Sequence, residues 1–161
     1  SERRRGRVDT WSGGMQRRLN LAVAVVHDPD LVILDEPTVG VDPQSRNRLL
    51  ENVERLRDAD KAVIYTTHYM EEAQRLCDRV CVMDRGRLLA AGSVEDLIAE
   101  HGGRPVVVAE RPGGELRIES ADPIATLSRL RCEEGELRGF RLEAPNLEQV
   151  FLNLTGRGLR D

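Results

Sequence analysis

One segment dominates the fold prediction: Leu31-Val32-Ile33-Leu34-Asp35-Glu36 consists of four branched apolar residues followed by two acids. An apolar run without polar alternation predicts a strand buried on both faces, as in parallel sheets. Apolar residues at helical spacing follow Ser12 and again follow Asp42-Pro43, and both positions have the composition of helix starts. The chain from Ser12 to about Glu100 therefore alternates helix and strand, which predicts an α/β domain on a parallel sheet.

The pattern changes after His101-Gly102-Gly103. Short strand-like runs there surround a predicted helix at 123–130, and a last helix is predicted to begin at Asn146. Its apolar residues share one helical face and should dock on the short strands that follow Gly103, away from any ligand-binding site: Leu147, Val150, Phe151 and Leu154. We therefore predict a first domain at residues 1–102 and a small α+β appendage at residues 103–161.

Composition excludes several classes of protein. The 161 residues include 24 basic and 28 acidic side chains, so the net charge of −4 gives no reason to expect nucleic acid as a partner. The longest apolar run, Leu21 to Val26, is six residues, whereas a membrane span needs roughly 20. Three cysteines are consistent with free thiols in a reducing cytosol. The excess of 23 arginines over one lysine suggests a GC-rich, bacterial source.

Two acids at the end of a buried strand are candidates for chemistry. Ligands usually bind at the carboxyl edge of a parallel sheet, where Asp35 and Glu36 are expected to lie. The pair fits a magnesium-binding Asp35 followed by Glu36 as a general base that orients an attacking water. The alternative is a strand end at which both acids are simply solvated.

Two further segments have the composition of phosphate sites. Ser12-Gly13-Gly14-Met15-Gln16 begins a predicted helix, where two glycines, free N–H groups and the helix dipole favour an anion. His68 follows Thr66-Thr67 directly after a predicted strand, where it could reach a phosphate. Each segment has an ordinary alternative: an N-cap after a flexible turn for the first, and a surface histidine for the second.

Four motifs in this order resemble the second half of an ABC-type ATPase: Ser12-Gly13-Gly14-Met15-Gln16, Leu34-Asp35-Glu36-Pro37-Thr38, Gly40-Val41-Asp42-Pro43 and Thr66-Thr67-His68. They are similar to the family's signature motif, Walker B strand with catalytic glutamate, D-loop and switch histidine. The closing segment 147–156 resembles the C-terminus of ATPase subunits of drug and antibiotic exporters. The resemblance implies the C-terminal part of a P-loop NTPase domain, followed by the α+β appendage.

The resemblance also implies roles for individual residues. The nucleotide-binding residues would be the signature residues and the D-loop aspartate at the dimer seam: Ser12, Gly13, Gly14, Met15, Gln16 and Asp42. Asp35 would bind Mg²⁺, and Glu36 and His68 would be catalytic, with Glu36 activating the hydrolytic water. The implied partners are a second ATPase domain and a transmembrane permease subunit, which place the protein in the cytoplasm, peripheral to the inner face of the cell membrane.

One motif of the family does not occur in these residues: no G-x-x-x-x-G-K-[ST] loop is present. Because the chain begins at Ser1 without methionine, we expect a truncated portion that is inactive alone and leaves one side of its sheet uncovered. Two alternatives remain open: a non-transport ABC ATPase acting in translation or DNA repair, and a non-catalytic relic or regulatory fragment.

Overall fold

The computed structural model describes residues 7–133 and 137–156. The chain divides into two compact units, Ser1–Cys77 and Asp78–Asp161. The boundary predicted at residue 102 thus lies inside the second unit. Within the described ranges, no helix has both the length and the apolar character needed to cross a membrane.

In the described part of the first unit, two strands and three α-helices follow a short 3-10 helix at Val8–Thr10. The elements are α1 (Gly13–Val25), β1 (Leu31–Asp35), α2 (Pro43–Asp58), β2 (Ala62–Thr66) and α3 (Met70–Leu76). Both predicted caps are confirmed. The Ser12 hydroxyl accepts from the Met15 amide at 3.4 Å, and Asp42 Oδ1 accepts from the Ser45 amide at 2.9 Å. Capping side chains satisfy backbone donors that a helix start leaves without intrahelical partners, which explains where α1 and α2 begin.

The parallel pairing of β1 with β2 confirms the predicted sheet type. The prediction that β1 is buried on both faces is wrong. Val32 and Leu34 pack in a core with residues of all three helices, whereas Leu31 and Ile33 are 49% and 65% exposed. Among the described residues, the helices cover one face of the strand pair, whereas Leu31, Ile33 and Ile64 on the strands are exposed.

The second unit is α+β. A hairpin of β3 (Arg79–Asp84) and β4 (Arg87–Ser93) leads into α4 (Val94–His101). The hairpin turn has Arg85 and Gly86 at φ values of 50° and 72°, as two-residue hairpin loops require. The remaining elements are β5 (Val106–Arg111), β6 (Gly114–Glu119), α5 (Pro123–Glu133), β7 (Gly139–Glu143) and α6 (Leu147–Thr155), with an antiparallel sheet in the order β6-β5-β7.

The predicted apolar face of α6 is largely buried. Leu147 and Val150 are 1% and 0% exposed. The helix packs mainly against α4, which precedes Gly103, so the predicted docking on the short strands after Gly103 needs correction. Asn153 Nδ2 donates to the carbonyl of His101 at 2.7 Å and joins the two helices. Helix α4 itself is not among the sequence predictions, although Ser93 marks its start by accepting from the Asp96 amide at 3.0 Å.

Candidate functional site

The register of the parallel strands brings the predicted acids beside the threonine–histidine segment. Asp35 lies opposite Thr66, at the carboxyl end of both strands. The Thr66 hydroxyl donates to Asp35 Oδ1 in a short contact, and the Glu36 amide donates to the Thr66 carbonyl at 3.1 Å. Thr66 therefore orients Asp35 through its side chain and Glu36 through its backbone. Sequence reasoning assigned this threonine no role.

Glu36 and His68 form a pair at this edge of the sheet. His68 Nδ1 lies 3.0 Å from both Oε1 and Oε2 of Glu36, although 32 positions separate the two residues. Their side chains are 37% and 51% exposed, so water has access to both. Glu36 also has a left-handed backbone, with φ at 44°, an unusual conformation for a residue other than glycine. The arrangement can hold a water molecule against a carboxylate that accepts its proton.

The two glycines at the start of α1 have different surroundings. Gly13 is exposed, and a Cβ at this position would meet only the Gly40 carbonyl, at 3.9 Å. Gly14 is buried, and a Cβ there would lie 2.5 Å from both Cβ and Oγ of Ser45. Only Gly13 is open to a ligand from outside. That a phosphate also reaches the backbone at Gly14 stays a prediction, and the absence of a side chain there allows α1 to pack closely against the first turn of α2.

Met15 and Gln16, which follow the two glycines, are partly buried against neighbouring parts of the chain and do not extend into solvent. Gln16 Nε2 donates to the carbonyls of Val8 and Trp11, both at 3.2 Å. Met15 is half-buried, and its amide is the one that Ser12 caps. These interactions hold the segment before α1 against its first turn and leave Ser12 and Gly13 as the exposed part of the motif.

Asp42 lies near the same end of α1. Its Oδ2 is 3.2 Å from the position that a Cβ on Gly14 would occupy. Hydrogen bonds from the backbone amide and then the hydroxyl of Ser45 hold the pKa of Asp42 below its usual range, so this exposed carboxylate is ionised at neutral pH. The predicted residues thus form two groups: Asp35, Glu36 and His68 at the sheet edge, and Ser12 to Gln16 with Asp42 at the helix starts.

Glu72 of α3 is a further polar residue of this region that sequence reasoning missed. It is 1% exposed. Its carboxylate accepts four hydrogen bonds, from Thr38 at 2.7 Å, Arg46 at 2.6 Å, Tyr65 at 2.8 Å and Thr67 at 3.0 Å. Burial opposes ionisation, but the four donors outweigh it, and the pKa of Glu72 lies below its ordinary value.

The sequence does carry a signal for Glu72. The residue shares one helical face with Leu76, and Ala73 lies beside it, so an acid occupies a position that faces the core. A carboxylate there requires buried donors. One of these donors is Tyr65, whose pKa is raised, first by burial and then by its hydrogen bond to Glu72. The tyrosine therefore remains protonated and donates.

Known ATP-binding proteins are similar to this chain in sequence and in fold. Residues 1–39 match the family described as ABC transporter. The linearmycin resistance ATP-binding protein LnrL of Bacillus subtilis is 38% identical over 100% of this chain and 61% of its own length. The Nod factor export ATP-binding protein I of Rhizobium sp. (strain N33) is 45% identical over 94% of this chain and 55% of its own length. The chain thus spans less than two thirds of these relatives.

A solved structure described as an ATP binding subunit of an ABC transporter superposes with a TM-score of 0.52 at 30% identity, covering 58% of this chain and 39% of the other. This likeness supports an α/β fold of the P-loop NTPase type. Asp35, Glu36 and His68 lie at one edge of the parallel strands, whereas Ser12 and Asp42 lie at the starts of α1 and α2. In sequence and fold, the chain is similar to the ATP-binding proteins of ABC transporters, and the similarity covers a C-terminal portion of their nucleotide-binding domain.

Proposed function

We propose that this chain is part of an ATP-hydrolysing subunit that energises export through a separate transmembrane permease. The single observation that carries the proposal is the Glu36–His68 pair beside Asp35 at the carboxyl edge of the parallel strands. The names of the two relatives, one for antibiotic resistance and one for export, support the direction of transport. The subunit would lie in the cytoplasm against the inner face of the membrane.

The residues present fit a magnesium ion held mainly by a nucleotide. Thr66 engages Oδ1 of Asp35, and among the described residues no donor engages Oδ2, which can face a cation or its water. The described residues contain no group of three or more His, Cys, Asp or Glu that could enclose a metal. This is the arrangement expected of Mg²⁺, which keeps several waters and binds one or two carboxylates together with phosphates. When bound, the ion would neutralise charge on the phosphates of ATP.

Glu36 would act as the general base in this proposal. Its carboxylate accepts a proton from water at the moment that the water attacks the γ-phosphate. His68 would hold the carboxylate in place through Nδ1 and contact the γ-phosphate and the water. Thr66 maintains this geometry, because its carbonyl accepts a hydrogen bond from the Glu36 amide and its hydroxyl donates one to Asp35.

The start of α1 would serve a nucleotide bound by a second ATPase domain. Gly13 is open and Ser12 is exposed, so the first turn of α1 can meet phosphate oxygens that come from outside the chain. Asp42 would lie at the seam between the two domains. Closure of this dimer around ATP, followed by opening after hydrolysis, would move the membrane subunit.

The test is Glu36→Gln in the complete subunit, meaning this chain together with the segment that supplies a Walker A loop. The amide keeps the size of the side chain but is not a base. We expect ATP to bind while phosphate release falls by roughly 10²-fold or more. Binding is measured by calorimetry and turnover by phosphate release, with Glu71→Gln, an exposed acid of α3, as the control. An unchanged rate in Glu36→Gln would refute the assignment of the base.

The 161-residue chain alone provides a second arm of the test. It contains no phosphate-binding loop of the Walker A type, so we expect neither measurable ATP affinity nor turnover. Mixed with a domain that has this loop, it would at most complete the partner's site through Ser12 and Gly13. Tight binding of ATP by the chain alone would contradict the proposal.

A further inference from the structure

We infer that Glu72 is a positioning residue for ATP hydrolysis, connecting the loop after the general base, the helix that follows Asp42 and the switch histidine through one buried carboxylate. This inference rests on the function proposed for Glu36 and His68. It assigns Glu72 no contact with nucleotide.

Both oxygens of Glu72 are fully used, and each joins different elements. Oε1 accepts from Thr38, in the loop two residues after Glu36, and from Arg46 in the first turns of α2. Oε2 accepts from Tyr65 on β2 and from Thr67, which immediately precedes His68. A buried carboxylate with two donors on each oxygen has one rotamer that satisfies all four donors. The network therefore fixes the relative positions of these elements.

The loop between Glu36 and Asp42 is tied down by Thr38. This residue is 2% exposed, and its hydroxyl donates to Glu72 at 2.7 Å across 34 positions of sequence. Turn hydrogen bonds run from the Val39 amide to the Glu36 carbonyl and from the Val41 amide to the Thr38 carbonyl. A shift of Thr38 would thus move both ends of the loop, including the left-handed backbone at Glu36.

The histidine is held from both sides. Thr67 Oγ1 donates to Glu72 and accepts from the Tyr69 amide, both at 3.0 Å, so it bridges the backbone around His68. The rings of His68 and Tyr69 lie 4.1 Å apart between centroids. The Arg46 guanidinium lies 4.5 Å from the centre of the Tyr69 ring and also donates to Glu72. Glu72 and Arg46 thus restrain the histidine through its two neighbours.

The precision with which Glu36 and His68 must be placed sets the expected loss of rate when Glu72 is substituted. A catalytic group displaced by about 1 Å can lose up to about 10²-fold in rate. If Glu72 acts by position, its loss lowers kcat and leaves the KM for ATP nearly unchanged, because Glu36 and His68 act on the transition state more than on the bound nucleotide. If Glu72 only stabilised the fold, its substitution would lower the amount of active protein, and the effect would not be coupled to a substitution of Glu36.

The experiment uses Glu72→Gln and Thr67→Val in the complete subunit. We expect kcat to fall about 10- to 100-fold in each, with the KM for ATP within about 3-fold of the unmodified value. Thr67→Val removes only the bridge beside His68 and keeps the shape of the side chain, so it decides the question if Glu72→Gln fails to fold. Thr67→Ser restores the hydroxyl and should recover most of the lost kcat.

The matched control is Glu54→Gln. Glu54 belongs to α2 in the same unit and is paired with Arg75 of α3 at 2.7 Å, and in the described part of the chain it makes no hydrogen bond to Glu72 or to the four donors of Glu72. Its removal should leave kcat unchanged. A fall in kcat of the same size in Glu54→Gln, or an unchanged kcat in both Glu72→Gln and Thr67→Val, would overturn the inference.

A double variant separates this inference from the proposed function. If Glu72 acts through Glu36, adding Thr67→Val to Glu36→Gln should cause no further fall in turnover, whereas independent effects would multiply. A multiplied loss would overturn the positioning role. If Glu36→Gln alone hydrolyses ATP at the unmodified rate, the proposed function fails. If Glu36→Gln is inactive while Thr67→Val and Glu72→Gln are fully active, only the inference about Glu72 fails.

Discussion

The adjacent glycines at the start of α1 should respond in opposite ways to alanine. In Gly14→Ala the new Cβ would lie 2.5 Å from Cβ and Oγ of Ser45, closer than carbon atoms approach without displacement. Ser45 Cβ is attached directly to the backbone of α2, so rotation of a side chain cannot relieve the overlap and the helices must separate. Overpacking of this kind costs about 1–3 kcal/mol.

Gly13→Ala meets no such obstacle. The nearest atom is the Gly40 carbonyl oxygen at 3.9 Å, and the backbone of Gly13 is not in the left-handed region. Replacing glycine with alanine at a compatible position stabilises by about 0.4–1 kcal/mol, because the unfolded chain loses freedom. The methyl group would, however, extend into the space where we propose that a phosphate approaches. Stability should therefore rise slightly while ATP hydrolysis falls.

Thermal unfolding and phosphate release of the complete subunit measure both effects. Because the complete subunit is longer than this 161-residue chain, each kcal/mol shifts its Tm by about 2 °C, and 1–3 kcal/mol corresponds to a Tm lowered by roughly 2–6 °C in Gly14→Ala. Adding Ser45→Gly removes both overlapping atoms and should recover part of that loss, with a coupling of about 0.5–3 kcal/mol. A Tm for Gly14→Ala equal to or above that of Gly13→Ala would refute the packing argument.

Four further outcomes are expected. Asp42→Ala removes the cap of α2 and should cost about 1 kcal/mol by denaturant titration, whereas Asp42→Asn should recover most of it. The pKa of Glu72 lies below its ordinary value of 4.5, so ionisation of this carboxyl group stabilises the folded state at pH values above 4.5. The difference in the free energy of unfolding between the unmodified protein and Glu72→Gln should therefore shrink as the pH is lowered below 4.5. Ile33 is exposed on the uncovered face of β1, and an exposed apolar face promotes association, so Ile33→Gln should reduce association of the 161-residue chain in light scattering. The same substitution at Ile124, an exposed residue of α5 in the second unit, should reduce association less. Leu147→Ala should lower stability by about 2–5 kcal/mol without changing the KM for ATP, and a changed KM would show that the second unit contributes to nucleotide binding.

The elements and their starts could be read from the sequence because they depend on near neighbours. A cap joins residues three positions apart, as Ser12 with Met15, and Asp42 with Ser45. An apolar stripe has a fixed helical period, which is sufficient to predict that Leu147 and Val150 are buried. The order of the four motifs was equally local information, and it was enough to indicate the family.

The candidate site was predictable in its residues but not in its contacts. The sequence indicated that Glu36 and His68 belong to one edge of a sheet, because each follows a strand. The 3.0 Å separation of their side chains depends on the register of β1 against β2 and on the left-handed backbone at Glu36. Neither can be read from spacing, since a register is set by packing between segments about 30 residues apart.

Tertiary structure alone decided which face of β1 is covered, what Gly14 contacts and where Glu72 finds its donors. Leu31 and Ile33 look like core residues in sequence, but burial depends on which helices are present to cover the strand. Gly14 belongs to a segment with the composition of a phosphate-binding loop, but the sequence does not show that Ser45 occupies the space where a side chain at this position would lie. The helical spacing places Glu72 on the core-facing side of α3, but it does not reveal the four donors from three other segments that surround the carboxylate. Local patterns determine secondary structure because their interactions are short in sequence, whereas burial and hydrogen-bond partners are properties of neighbours that only folding brings together.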